Sequence, residues 1–272
     1  MKKIILFFLL LGPLLQAQTI REQDELAVGG QVLQALKNDP LQYKSVDRAK
    51  EKFMQSIVKK RMLAEMQKVE PAQDLNRHIT EISRLHIPEP GIDRDPAYVF
   101  TPKKYSSRKS YPLIVSLHGY SSWSVVQGLF LPFQKWVSGK GYILAVPSGN
   151  KDRAKRQFWN ATSFCCNFDN KKINDVRYLQ RLIAKLKAKY NISKVIIAGH
   201  SNGGFLSQRM ACEHADLIDG IITWGGSSFY KKSDCRPSRP VSIIHLHGSD
   251  DATIPYNGIP MVLPSAPTVV NR

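Results

Sequence analysis

The segment Gly199-His200-Ser201-Asn202-Gly203 holds a serine between two glycines at a spacing that suits nucleophilic chemistry. A serine hydroxyl attacks carbonyl carbon usefully when a sharp turn holds it clear of its neighbours and backbone N–H groups wait for the developing negative charge. Such a turn strains the backbone at the serine and presses the residues two positions either side against other main chain, where glycine fits. Gly199 and Gly203 meet that need, and the Asn202 N–H, at the start of a following helix, is the first oxyanion donor. His200 and Asn202 frame the serine. Alternation along a strand turns His200 away from Ser201, so His200 is not read as its base.

The five-residue pattern is weak by itself, because glycine and serine are common; its flanks strengthen it. Val195-Ile196-Ile197-Ala198 reads as a buried strand and Phe205 to Ala215 as a helix, so Ser201 falls at a strand-to-helix elbow. A second oxyanion donor is expected from the loop after an earlier strand. Leu113 to Leu117 leads into His118-Gly119-Tyr120, which makes the Tyr120 N–H the candidate. An acid is expected after a later strand, and Val241 to His247 leads into Gly248-Ser249-Asp250-Asp251, where two aspartates compete. Trp123, just after the oxyanion loop, Trp159, and Tyr256, beside the acid loop, are candidates for the rim of a substrate cleft.

The acid segment, His247-Gly248-Ser249-Asp250-Asp251-Ala252-Thr253-Ile254-Pro255-Tyr256, resembles the H-G-T-x-D-x-x-V-P-Y segment of the polyhydroxybutyrate-depolymerase and feruloyl-esterase group of α/β-hydrolases. Asn174 to Leu179 is similar to that group's D-D-V-x-F-L helix start, with Asn174 in place of the first aspartate. Arg209-Met210-Ala211-Cys212-Glu213 is similar to its R-L-A-C-E, and Phe158-Trp159-Asn160 with Cys165-Cys166 to its tryptophan-and-cysteine loop. The resemblance covers residues 96–272. It implies an α/β-hydrolase fold, selects Asp251 over Asp250 as the acid, and implies a carboxylic-ester hydrolase for polyesters, feruloylated or acetylated polysaccharide, or small esters. An acyl-enzyme route of this kind calls for no cofactor and no metal. The rivals are a serine peptidase of the same fold and a non-catalytic exported binder of polysaccharide or polyester that keeps the elbow as a relic.

In this fold the order along the chain is serine, acid, histidine. The seven histidines, His78, His86, His118, His200, His214, His245 and His247, all precede Asp251. Ser265-Ala266-Pro267-Thr268-Val269-Val270-Asn271-Arg272 reads as a helix just begun, with Ser265 its cap. Three explanations compete: a natural protein that continues through a further helix, strand and histidine loop; an inactive homologue; or a base borrowed from His78, His86 or His214. The first is the expectation, because a sheet that ended here would leave an edge and part of the core bare.

The elements that must position these groups follow from the hydrophobic rhythm. Strands are expected at 97–101, 112–118, 142–146, 194–198, 220–224 and 241–247, with helices at 124–138, 174–190 and 203–215 between them. That alternation predicts a mostly parallel sheet covered by helices on both faces. Upstream, Val46, Ala49, Phe53 and Ile57 behind Ser45, then Leu75, Ile79, Ile82 and Leu85, recur at helical spacing, so residues 18–95 read as a helical extension. Lys2-Lys3, the apolar run Ile4 to Leu15 and Gln16-Ala17 read as a secretory signal cut after Ala17, which predicts an extracellular or periplasmic protein with no stable membrane insertion. Export permits disulfides among Cys165, Cys166, Cys212 and Cys235, with three pairings open.

The chain of 272 residues carries 39 basic and 22 acidic side chains, a net charge of +17 that losing Lys2 and Lys3 lowers by two. The basic residues are spread along the chain without the patterns of a nucleic-acid-binding motif, so the expected partner is an ester substrate, polymeric or small, rather than nucleic acid.

Overall fold

The computed structural model describes residues 81–89, 92 and 94–271, which fall within one compact unit, Val69–Arg272. The signal, the stripe behind Ser45 and His78 lie outside the described residues.

Nine strands appear in chain order: β1 Glu81–Leu85, β2 Ala97–Thr101, β3 Tyr111–Leu117, β4 Ile143–Val146, β5 Asn150–Lys151, β6 Gln157–Phe158, β7 Ile192–His200, β8 Gly220–Trp224 and β9 Ser242–Leu246. Seven form one sheet in the order β1-β2-β4-β3-β7-β8-β9, and β5 and β6 pair as a separate short ribbon. β1 and β2 join antiparallel, while β4, β3, β7, β8 and β9 run parallel. β3 and β7 are central and rich in β-branched residues, as strands buried on both faces require. Leu113, Val115, Leu117, Val195 and Ile197 are all within 1% of full burial.

The helices are α1 Ser124–Phe130, α2 Val137–Lys140, α3 Asp175–Lys189, α4 Asn202–Glu213 and α5 Ala266–Val270. In α3 the apolar face, Val176, Leu179, Leu182, Ile183 and Leu186, is buried against the sheet. Asn174 caps it by accepting the Arg177 N–H at 2.9 Å, and Lys187 and Lys189 sit in its last turn, where cations suit the helix dipole. α5 starts as expected, with Ser265 Oγ accepting the Thr268 N–H and proline in the first turn.

Two expectations need correction. Residues 124–138 do not make one helix: Pro132 lacks an N–H and excludes the helical conformation at Leu131, so α1 stops at Phe130, a short 3-10 turn spans Phe133–Trp136, and α2 follows. α2 includes Gly139 and closes on Gly141, whose left-handed φ of 69° forms its C-cap. Residues 81–85 are a strand rather than the end of a helical stripe. Ladder bonding to β2 prevails there over the three- and four-residue spacing of Ile82 and Leu85.

β9 is the outermost strand of the described sheet, and Ile244 and Leu246 are exposed on it at 58% and 37%. Among the described residues no helix is long and apolar enough to cross a membrane.

The long excursion between β4 and α3 is anchored by a buried ion. Arg94 donates to Glu89 at 2.9 Å, to Asp175 at 2.6 Å and to the Ser148 carbonyl at 3.0 Å, and its guanidinium lies 3.9 Å from the centre of the Tyr178 ring. The three charged side chains are nearly inaccessible. Removing one member of a buried set strands the others, so Arg94→Ala is expected to destabilise the fold by about 3–5 kcal/mol in urea unfolding. A loss under about 1 kcal/mol, the size of a surface pair, would show that this cluster does not anchor the excursion.

Candidate active site

β7 ends at His200 and α4 begins at Asn202, leaving Ser201 alone between them with φ 49° and ψ −118°. A serine holds such a backbone only where packing overdetermines it. A Cβ added at Gly199 would lie 2.2 Å from the Gly203 carbonyl oxygen. One at Gly203 would lie 2.4 Å from that of Leu117. Both elbow glycines are therefore required by main-chain contact. The Ser201 N–H donates to the Trp224 carbonyl at 2.8 Å, which ties the elbow to the end of β8.

The loop after β3 runs beside the serine, since a Cβ placed on Gly119 would sit 3.4 Å from Ser201 Cβ. Tyr120 follows directly, its phenol donating to Asp152 at 2.9 Å. Asn202 is fully buried and opens α4, where first-turn N–H groups have no carbonyl of their own helix to meet. Its side chain has a role the sequence did not reveal. Oδ1 accepts the Trp159 N–H at 2.7 Å, and Nδ2 donates to the Trp159 carbonyl at 3.0 Å and to Cys165 Sγ at 3.7 Å. The next amide, Asn160 N–H, donates to Asp175 at 2.6 Å.

Trp159 is not a rim residue. It is fully buried, and its indole N–H donates to the His118 carbonyl at 2.9 Å. Trp123 and Tyr256 are exposed at 41% and 36%. The cysteines pair as Cys165 with Cys166 and Cys212 with Cys235, the second bridge joining the end of α4 to the segment after β8. Among the described residues no group of three or more ligating side chains is placed to hold a metal.

On the loop after β9, Asp251 Oδ1 accepts the N–H groups of Thr253 and Ile254, each at 2.9 Å, which fixes the carboxylate. Oδ2 turns toward the elbow side, 3.3 Å from where a Cβ on Gly225 would lie. Asp250 is exposed. His247 Nε2 lies 3.6 Å from Asp251 Oδ2 and bonds the Ile254 carbonyl at 2.6 Å. A carbonyl can only accept, so Nε2 carries the proton and, in the neutral ring, Nδ1 accepts from His245 Nε2 at 3.1 Å. His245 Nδ1 must then accept from the Thr223 hydroxyl at 2.6 Å. One fixed acceptor thus orients a chain of three bonds that ends beside Asp251.

Burial, with His247 adding to it, pushes His245 down to about 4. Burial likewise pushes His118 down to about 4, against the favourable bond to the Gly119 carbonyl. The neutral His118 ring is fixed too, Nδ1 donating to Gly119 O at 2.7 Å and Nε2 accepting from the Gly149 N–H at 2.8 Å. His200 is lowered by burial and raised in part by Asp251, and its ring packs on Phe130 with centroids 4.5 Å apart. Among the described residues Ser201 Oγ has no hydrogen-bond partner.

The mostly parallel sheet order, the strand-to-helix elbow at Ser201 and the loop carrying Asp251 two strands away define an α/β-hydrolase fold. A crystal structure of a thermostable esterase shares it, with a TM-score of 0.50 and 21% identity over 65% of this chain and 48% of that one. The Phospholipase/Carboxylesterase family model matches residues 104–262, more than half of the chain, and the chain belongs to that family. Its relatives include the bifunctional acetylxylan esterase/xylanase XynS20E of Neocallimastix patriciarum, 24% identical over 63% of this chain and 23% of that protein. Feruloyl esterase B of Piromyces equi is 24% identical over 58% of this chain and 29% of that protein. The alignments span about a quarter of those relatives' own lengths.

Two outcomes follow. Asn202→Ala would leave the buried Trp159 N–H unpaired, at about 1–3 kcal/mol, while the Trp159 carbonyl keeps the Ala161 N–H, and should lower the unfolding midpoint in urea accordingly; an unchanged midpoint would show that the clamp carries no load. The buried neutral histidines bind fewer protons folded than unfolded between their ordinary 6.5 and about 4. Stability is then fully present above 6.5 and lost as pH falls through that window. The Tm from scanning calorimetry should be level near pH 7 and fall steadily on acidification; a Tm that held or rose down to about pH 4 would sink this account.

Proposed function

We propose that the protein is an exported serine hydrolase of carboxylic esters, and the observation that carries this reading is the strained Ser201 at the elbow. Ser201 Oγ attacks the ester carbonyl and the alcohol leaves. Water then releases the acid from the acyl-enzyme. The Asn202 and Tyr120 N–H groups hold the oxyanion, and Asp251 is the acid whose carboxylate orients and balances the charge of an imidazole.

Esters of polysaccharide, acetyl or feruloyl, are the favoured substrates, supported by relatives named for acetylxylan and feruloyl ester cleavage. Polyhydroxybutyrate-like polyester and small esters remain within the same chemistry. Trp123 and Tyr256, both exposed, are the aromatic surfaces offered for stacking on a sugar or an aryl ring. Export rests on the signal-like first seventeen residues and is supported by the two disulfides.

A fluorophosphonate probe followed by mass spectrometry tests the assignment, because it marks only a serine whose oxygen is activated. An adduct on Ser201, absent from Ser201→Ala, is expected. A folded protein whose Ser201 stays unmodified would replace the enzyme by a non-catalytic binder of polysaccharide or polyester. With p-nitrophenyl acetate, Asp251→Asn should lower kcat by roughly 10⁴-fold, as the same change of the acid does in other serine hydrolases. Asp250→Asn should leave it unchanged, and the reverse pattern would reassign the acid.

A further inference from the structure

A cleft of 580 Å³ lies against the first turn of α3, away from the loop that carries Asp251. Among the described residues its walls hold four cations, Lys171, Lys172, Arg177 and Arg181, against one carboxylate, Glu89. The Lys171 ammonium donates to the Lys151 carbonyl. Among the described residues Lys172, Arg177 and Arg181 have no acidic partner. Arg177 and Arg181 stand one helical turn apart, a like-charge spacing that costs stability unless a counter-charge settles between them. The volume is that of a site for a small organic ligand or one or two sugar units.

The remaining lining narrows the ligand. Asn150, Asn174 and Glu89 add neutral and acceptor groups to the cations, which suits a ligand that carries hydroxyls beside its negative charge. Among the described residues no aromatic side chain lines the cleft for base stacking. A sugar acid satisfies both kinds of wall, with its carboxylate on the guanidinium groups and its hydroxyls on the amides.

The cleft also opens on the right edge of the fold. α3 returns from the edge where the parallel strands end, the edge that carries Ser201, so its first turn faces that side. Two consecutive amides make the link explicit: Trp159 N–H is bound by Asn202, next to Ser201, and Asn160 N–H by Asp175, next to Asn174 in the cleft wall.

We propose that this cleft is an anion subsite for a uronate residue of an acidic polysaccharide, held through Lys172, Arg177 and Arg181 while an ester elsewhere on the same polysaccharide is presented to Ser201. Delivery of the ester rests on the hydrolase reading above; binding of the uronate does not.

The test uses the full chain carrying Ser201→Ala, so that binding is read without turnover. Calorimetric titration with oligogalacturonate should show salt-sensitive binding, and neutral xylo-oligosaccharide should bind at least about tenfold more weakly. Adding Lys172→Gln, Arg177→Gln and Arg181→Gln should weaken oligogalacturonate about tenfold or more. The charge-matched set Lys185→Gln, Lys187→Gln and Lys189→Gln, later on the same helix, should not. Equal loss in both sets would reduce the effect to overall charge and overturn the subsite. So would tight binding of polyphosphate or anionic lipid vesicles that the cleft set abolishes while oligogalacturonate is unaffected. A Ser201 that fails to label leaves a positive titration standing, and a labelled Ser201 with no uronate binding ends the subsite alone.

Discussion

Main chain touching main chain is the constraint around which the rest is arranged. α4 descends onto the ends of β3 and β8 with nothing between: Gly203 faces the Leu117 and His118 carbonyls, Gly199 faces Gly203, and Gly204 meets Gly226. With a Cβ excluded at Gly199 and Gly203, the main chain closes on the elbow from both sides of Ser201, and its backbone strain is sustained by contacts that no single rotation could relieve. The same descent brings the first turn of α4 beside the loop after β3.

A second layer of order hangs on two adjacent peptide units. The Trp159 and Asn160 amides are each taken by the first residue of a different helix, Asn202 of α4 and Asp175 of α3. Asp175 is at the same time the partner of buried Arg94. The excursion after β4 is thus tied to the sheet interior by an ion and to the elbow by an amide, which is why a long loop with only the β5 and β6 ribbon of its own can stay packed.

Much of this was legible because it rests on local pattern. β2 and β8 fall where alternation and branched residues placed them, and the elbow's position between strand and helix follows from Val195 to Ala198 and Phe205 onward. What escaped depends on partners far apart in the chain. Nothing around Trp159 announces that its indole will meet the His118 carbonyl, so an aromatic near the site looked like rim. His245 and His247 read as one face of a strand, but their bond directions are set by Thr223 on β8 and the Ile254 carbonyl beyond the turn. Cysteine pairing has no local signal at all. Pro132 was visible, yet the strong apolar rhythm around it argued for one helix. At Ile82 and Leu85 the helical spacing of three is overridden by pairing with β2, which puts the two side chains on opposite faces of the strand.

The sheet also acts as a ruler. β7 carries Ser201, β9 carries the loop with Asp251, and β8 lies between them, so the two backbones are held two strand spacings apart, about 10 Å. That separation between the two strand ends is set by backbone ladders rather than by any side chain, so it is as rigid as the sheet itself.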